Sequence, residues 1–174
     1  MSFLDADQLS QYHRDGYLVI ENFWDSKTVG DLKSRIGEIV SGLNLDDPVH
    51  SLGFTKSVFT TNEDRRVADD YFLDSGYAIR FFWEEKAWVN EKLTRPPEES
   101  INKIGHGLHD IDPQFAAVTY DVRVGQICRD LGMSVPLAVQ SMYIFKQALI
   151  GGEVCPHQGK TIRCNYGTHY PQFD

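Results

Sequence analysis

Apolar residues recur at helical spacing between Ser26 and Leu43. Val29, Leu32, Ile36, Ile39, Val40 and Leu43 fall on one stripe at 3.6 residues per turn, so an amphipathic helix is predicted with Ser26 as its N-cap. Gly37 inside the stripe weakens that helix and allows a close neighbour. A shorter helix carries Leu9 and Tyr12, starts behind Asp5 or Asp7 and ends at Gly16. From Tyr17 to Phe23 the chain alternates apolar and polar residues, which predicts a strand. Strands are also predicted over Ala78–Trp83 and, most strongly, over Ala138–Gln147, where the Gly151-Gly152 turn follows. Asp112-Pro113 opens a short helix, with Asp as cap and Pro in the first turn. A further helix runs from Val122 to Leu131 and closes at Gly132. Val89–Pro97 reads as a hairpin or loop ending at Pro96-Pro97. The mixed, polar stretch Asn44–Asp70 predicts a long mobile loop. There is no internal repeat and no low-complexity tract.

Composition narrows the class. A chain of 174 residues, 41% hydrophobic and 12% aromatic, is one domain long and able to bury a core. Seventeen basic against 25 acidic side chains give a net charge of −8. That excess argues against nucleic acid and anionic membranes as partners, since phosphate binding needs clustered Lys and Arg. An acidic small molecule in a locally basic pocket stays compatible with it. Cys128, Cys155 and Cys164 are odd in number and widely spaced, so no disulfide framework is expected. No signal-like apolar stretch opens the chain, no run has the length of a membrane span, and Tyr170–Asp174 is not a peroxisomal address. The expected compartment is the cytoplasm.

The chemistry concentrates after the last predicted strand, in Gly151-Gly152-Glu153-Val154-Cys155-Pro156-His157-Gln158-Gly159. A histidine followed two residues later by Asp or Glu opens the facial triad of non-heme iron(II) oxygenases, which a distant second histidine completes. Here His157 stands in place and position 159 is glycine. His106 and His109 are three apart and, with His157 or Cys155, would imitate a zinc site. No Cys-x2-Cys or His-Glu-x-x-His context accompanies them, so zinc is not expected. A phosphate-cradling Gly loop and a nucleophile elbow are both missing from the sequence.

Several blocks then agree with one family in the same order. Gln140–Gln147, Gly151–Val154 and Pro156–Gln158 follow Asp15–Ile20, Arg35–Val40 and Ser100–His106. Over about Gln8 to Gln158 the chain resembles the phytanoyl-CoA dioxygenase family. The resemblance implies an iron(II)- and 2-oxoglutarate-dependent dioxygenase, with a fatty acyl-CoA or related lipid as the substrate its name indicates. It places Lys103 and Met142 on positions that contact 2-oxoglutarate, and His157 on the first iron ligand. Gly159 falls on the carboxylate ligand and has no side chain to serve. The distal histidine and the arginine that grips the co-substrate belong to a part of the fold this chain does not contain. Some related halogenases also carry Gly at the carboxylate position. They keep the second histidine, however, and His169 lies too near His157 to fill that place.

The implied fold class is α+β: N-terminal helices beside an incomplete double-stranded β-helix of the jelly-roll or cupin type. Residues 1–158 are read as the N-terminal part of the dioxygenase-like domain and 159–174 as an unrelated, disordered tail. Gly159-Lys160 is what an unspliced intron opening GTAAG would encode, so a retained intron or a missed splice site is the expected origin of that tail. The polypeptide is therefore expected to be a truncated and inactive member of an enzyme family. The alternative is an inactive truncated product with at most a protein-binding role, its unpaired sheet edges offering self-association.

Overall fold

Local chemistry at the chain start fixes the first helix of the computed structural model, which describes residues 2–46, 58–59, 70–90 and 92–154. Asp5 accepts a hydrogen bond from the Gln8 amide (2.8 Å), and the Gln8 side chain accepts one from the Asp5 amide (3.0 Å). This capping box starts α1 (Ala6–Asp15). Gly16 ends it in the left-handed region, at φ 79°. The second helix, α2 (Ser26–Ser41), is capped by Asp25, whose carboxylate accepts from the Thr28 amide at 2.7 Å. Ser26 is thus the first helical residue and not the predicted cap.

The strand predicted over Tyr17–Phe23 does not form. Residues 17–20 carry no strand assignment among the described residues, Asn22 turns the chain at φ 54°, and Tyr17 and Val19 are exposed. Alternation alone cannot make a strand that has nothing to pair with. Phe23 serves instead, with Trp24, as a platform for the Arg123 guanidinium, whose carbon lies 4.7 and 4.5 Å from the two ring centroids.

Four strands form the main sheet: β1 (Val58–Phe59), β2 (Ile79–Glu84), β5 (Ile101–His106) and β6 (Ser141–Ile144), hydrogen-bonded in the order β1-β2-β5-β6. β1 runs parallel to β2, and the other pairs are antiparallel. Val58 and Phe59 lie within the stretch predicted as loop, which is corrected at those two positions. The remainder of that prediction falls on residues outside the description, apart from the ends at 44–46 and 70. Trp88–Val89 (β3) and Lys92–Leu93 (β4) make the small hairpin expected there.

β5 was not legible from periodicity, because Asn102, Lys103 and His106 interrupt its apolar residues. It is nevertheless the central strand, and all six of its residues are buried. The strand predicted over Ala138–Gln147 shrinks to β6, which among the described residues pairs with Lys103–His106 of β5. Past it, Lys146 bends the chain at φ 50°.

Register sorts the sheet's two faces, since residues directly opposite share a face. Ile79, Phe81, Ile104 and Tyr143 point to the side on which Ile36 and Val40 of α2 complete a core with Trp83, Ile101 and Leu108. The short helices α3 (Asp70–Leu73), α4 (Leu108–Ile111), α5 (Pro113–Thr119) and α6 (Val122–Asp130) surround this arrangement. Asp112 links two of them to the rest. Its carboxylate caps α5 through the amides of Gln114 (3.0 Å) and Phe115 (3.2 Å), and accepts from Arg35 Nε of α2 at 2.6 Å. The fold is α+β, with mostly antiparallel pairing.

Candidate functional site

The face of the sheet turned away from α2 carries Arg80, Phe82, Lys103, Gly105, Met142 and Ile144. Phe82 stands opposite Lys103, Lys103 opposite Ile144, Arg80 opposite Gly105, and Gly105 opposite Met142. α3 lays two rings over it. The Tyr71 hydroxyl donates to the Phe81 carbonyl and accepts from the Phe81 amide, both at 3.0 Å, which fixes the helix to β2. The rings of Tyr71 and Phe72 then meet Phe82 edge-on, at 5.5 and 6.0 Å between centroids.

Lys103 is 8% exposed. Its Nζ lies 5.0 Å from the Phe82 centroid and 5.7 Å from that of Phe72. Ring faces attract a cation, but they replace only part of its lost hydration. Burial accordingly pushes the Lys103 ammonium down to about 8. His106 packs on the same two rings, at 5.1 Å from Phe72 and 5.3 Å from Phe82. Burial first, and then the charge of Lys103, push its imidazole down to about 4.

Ser75 fixes the tautomer of His106. The hydroxyl donates its one hydrogen to the Phe72 carbonyl, so His106 Nδ1, 2.6 Å from Ser75 Oγ, is the donor in their contact. The arrangement holds a neutral histidine and a partly dehydrated ammonium against aromatic walls. A carboxylate brought to that ammonium would gain far more than it would at an exposed lysine.

Met142 is partly exposed, and a Cβ built on Gly105 would come within 3.3 Å of its Cγ. The absent side chain is what lets Met142 lie across β5.

A second device holds the chain beyond β6. Glu84, almost fully buried, accepts from Asn102 Nδ2 at 2.9 Å and from the Gly152 amide at 2.8 Å. The Gln147 side chain donates to the carbonyls of Glu98 (2.8 Å) and Ile101 (3.1 Å). Gly151 turns so tightly that a Cβ there would sit 2.7 Å from the Gln147 carbonyl oxygen. The exit toward His157 is thereby tied to β2 and β5.

Lys103 and Met142 thus share one face of adjacent strands. His157, Cys155, Gly159 and the tail Lys160–Asp174 lie outside the described residues. His106 and His109 do not form a metal pair. Each has its Nδ1 against a different serine, His106 at Ser75 and His109 at Ser141 Oγ, 2.9 Å away. Among the described residues no three His, Cys, Asp or Glu side chains are grouped to hold a metal ion. Position 159, where the resemblance puts the carboxylate ligand, is glycine. Sequence reading missed Phe72, Ser75, Arg80 and Glu84. The one available signal was the alternation Arg80-x-Phe82 against Lys103-x-Gly105, which puts the four on one face once β2 and β5 are paired.

A family profile described as phytanoyl-CoA dioxygenase (PhyH) matches residues 12–162. The phytanoyl-CoA dioxygenase domain-containing protein 1 of Rattus norvegicus is 44% identical over 168 residues, covering 93% of this chain and 55% of the relative. The homolog from Caenorhabditis elegans is 41% identical, covering 90% of this chain and 53% of its own length. A phytanoyl-CoA dioxygenase of Arabidopsis thaliana is 40% identical, covering 91% and 54%. The chain spans about half the length of these relatives.

Proposed function

The chain belongs to the phytanoyl-CoA dioxygenase (PhyH) family, and from that premise we propose that it carries the co-substrate wall of an iron(II)- and 2-oxoglutarate-dependent dioxygenase domain without being a complete enzyme by itself. The buried ammonium of Lys103 against Phe72 and Phe82 supports this reading: it is a preformed seat for one carboxylate of 2-oxoglutarate. Met142, on the same face, lies beside the co-substrate. Iron in such enzymes supplies the oxygen chemistry. His157 takes the position of its first ligand, and Gly159 brings no oxygen to the second. The remaining ligands and the closing strands of a double-stranded β-helix belong to the length that the relatives have beyond this chain. Residues 1–158 are the dioxygenase-like part and 159–174 a tail of other origin. A fatty acyl-CoA or related lipid is the oxidised substrate of the whole domain, and the cytoplasm is its compartment.

Two assays test this. Lys103→Met should abolish binding of 2-oxoglutarate measured by equilibrium dialysis. Supplied with iron(II), 2-oxoglutarate and oxygen, neither the native chain nor Gly159→Asp should release succinate above the protein-free rate. Succinate that depends on His157 would overturn the incompleteness of the site.

A second role is favoured by the exposed apolar residues Met133, Val135, Leu137 and Val139, which lead into the edge strand β6 with Met142 and Ile144 partly uncovered. An uncovered edge of this kind pairs with other chains. Sedimentation should show reversible self-association, weakened by Ile144→Lys.

A further inference from the structure

The outward-pointing groups of β6 follow from its pairing with β5. The Phe145 amide donates to the Asn102 carbonyl at 2.9 Å, one step beyond the Lys103–Ile144 pair. Hydrogen-bonded pairs alternate with non-hydrogen-bonded ones in an antiparallel ladder. Ser141, Tyr143 and Phe145 therefore address β5, while the amides and carbonyls of Met142 and Ile144 point away from it. No strand lies beyond β6 among the described residues. Met142 and Ile144 are also the exposed residues of β6, at 44% and 43%. No charged residue stands between Asp130 and Lys146, in a chain of net charge −8. Lys146, at φ 50°, ends the extended run.

We propose that this edge pairs, antiparallel, with the same edge of a second copy about a two-fold axis at Tyr143, so that Met142 lies opposite Ile144 of the partner subunit. The inference rests on the reading of the edge as a self-association surface, and gives that surface a register and a closure. A second copy suits the edge on charge. Two acidic chains repel at a distance, but the strips that meet here bring no like charges together, and a charged strand would set its charge against Met142 or Ile144. Symmetry then selects the register. With the axis at Tyr143, each exposed apolar side chain faces an apolar one, and the outward amides and carbonyls exchange hydrogen bonds. An axis at Met142 sets Ile144 against Gln140 of the partner subunit, and an axis at Ile144 sets Met142 against Lys146 of the partner subunit. A two-fold contact closes at two copies. The opposite edge, β1, has only two residues, Val58 and Phe59, with which to continue the sheet into a filament.

The test uses the full chain carrying Cys128→Ser, Cys155→Ser and Cys164→Ser, to which Met142→Cys or Ile144→Cys is added at an exposed position. In this register the Cα atoms of Met142 and of Ile144 of the partner subunit are about 5.5 Å apart, within disulfide reach, whereas two copies of either position are separated by more than the roughly 7 Å a disulfide spans. Under mild oxidation an equimolar mixture of the two variants should form a disulfide-linked dimer, and each variant alone should stay unlinked. Sedimentation equilibrium of the native chain should reach a dimer and nothing larger. Ile144→Lys should weaken that dimer about tenfold, the equivalent of two apolar cross-strand pairs. A native chain that stays monomeric would overturn the dimer and the self-association reading together. Association in which each variant links with itself, or in which the mixture fails to link, would overturn the register and leave self-association standing. Species larger than a dimer would overturn the closure in the same way.

Discussion

A lysine ammonium buried beside two aromatic rings is held at a cost. Lowering Lys103 from 10.5 to about 8 corresponds to something on the order of 3 kcal/mol against the charged folded form at neutral pH. Below about pH 8 the native chain holds the proton and bears that cost in full. Between about 8 and 10.5 the unfolded chain keeps a proton the native chain has shed, so stability should rise with pH. Lys103→Met should therefore melt higher than the native chain at pH 7, with a gain that shrinks by pH 10, while 2-oxoglutarate binding is lost. His106 works in the acid range with the same sign. Between 6.5 and about 4 the unfolded chain is protonated and the native chain is not, so stability should fall as pH drops through that window. Thermal melts of His106→Gln should lack this decline. At this scale the sequence offered Lys103, Met142 and His157 by family position. It did not offer the environment of Lys103, because Phe72 and Phe82 reach it only through the α3 contact and the register of β2 with β5.

Helix ends were the most readable elements, since their signals are local. Asp5, Gly16, Asp112-Pro113 and Gly132 all act where periodicity and cap chemistry put them, and only the Ser26 cap moved, by one residue, to a better acceptor. Strands depend on partners distant in sequence. Tyr17–Phe23 alternates and has no strand partner among the described residues; β5 does not alternate in polarity and has one on each side. Asp112 shows how elements are joined. Burial alone would raise its carboxyl, but the Arg35 hydrogen bond and the amides of Phe115 and Gln114 outweigh that and hold it below its ordinary value. The stability it contributes is present at neutral pH and lost as the pH falls through that lowered value. Asp112→Ala should cost about 1–2 kcal/mol for the α5 cap, and more for the stranded Arg35, in denaturant unfolding at pH 7. Asp112→Asn should recover only the cap. Glu84 joins strands to the exit of the sheet. Glu84→Ala should speed amide exchange at Gly152 and Gln147 while Ile104 stays protected, whereas uniform speeding would show that Glu84 merely supports the whole fold.

Among the described residues the sheet has one well-packed side, where α2 covers Phe81, Trp83 and Ile104, and one side on which Met142 and Ile144 are exposed. The chain spans about half the length of the relatives it matches. The central claim is that the Lys103 charge receives a carboxylate of 2-oxoglutarate. Its most direct test is the affinity of the metal-free chain for 2-oxoglutarate as a function of pH. The affinity should be flat up to about pH 7 and then fall with a midpoint near 8, by about tenfold per unit once Lys103 is deprotonated. An affinity that does not change between pH 7 and pH 9.5 would contradict it.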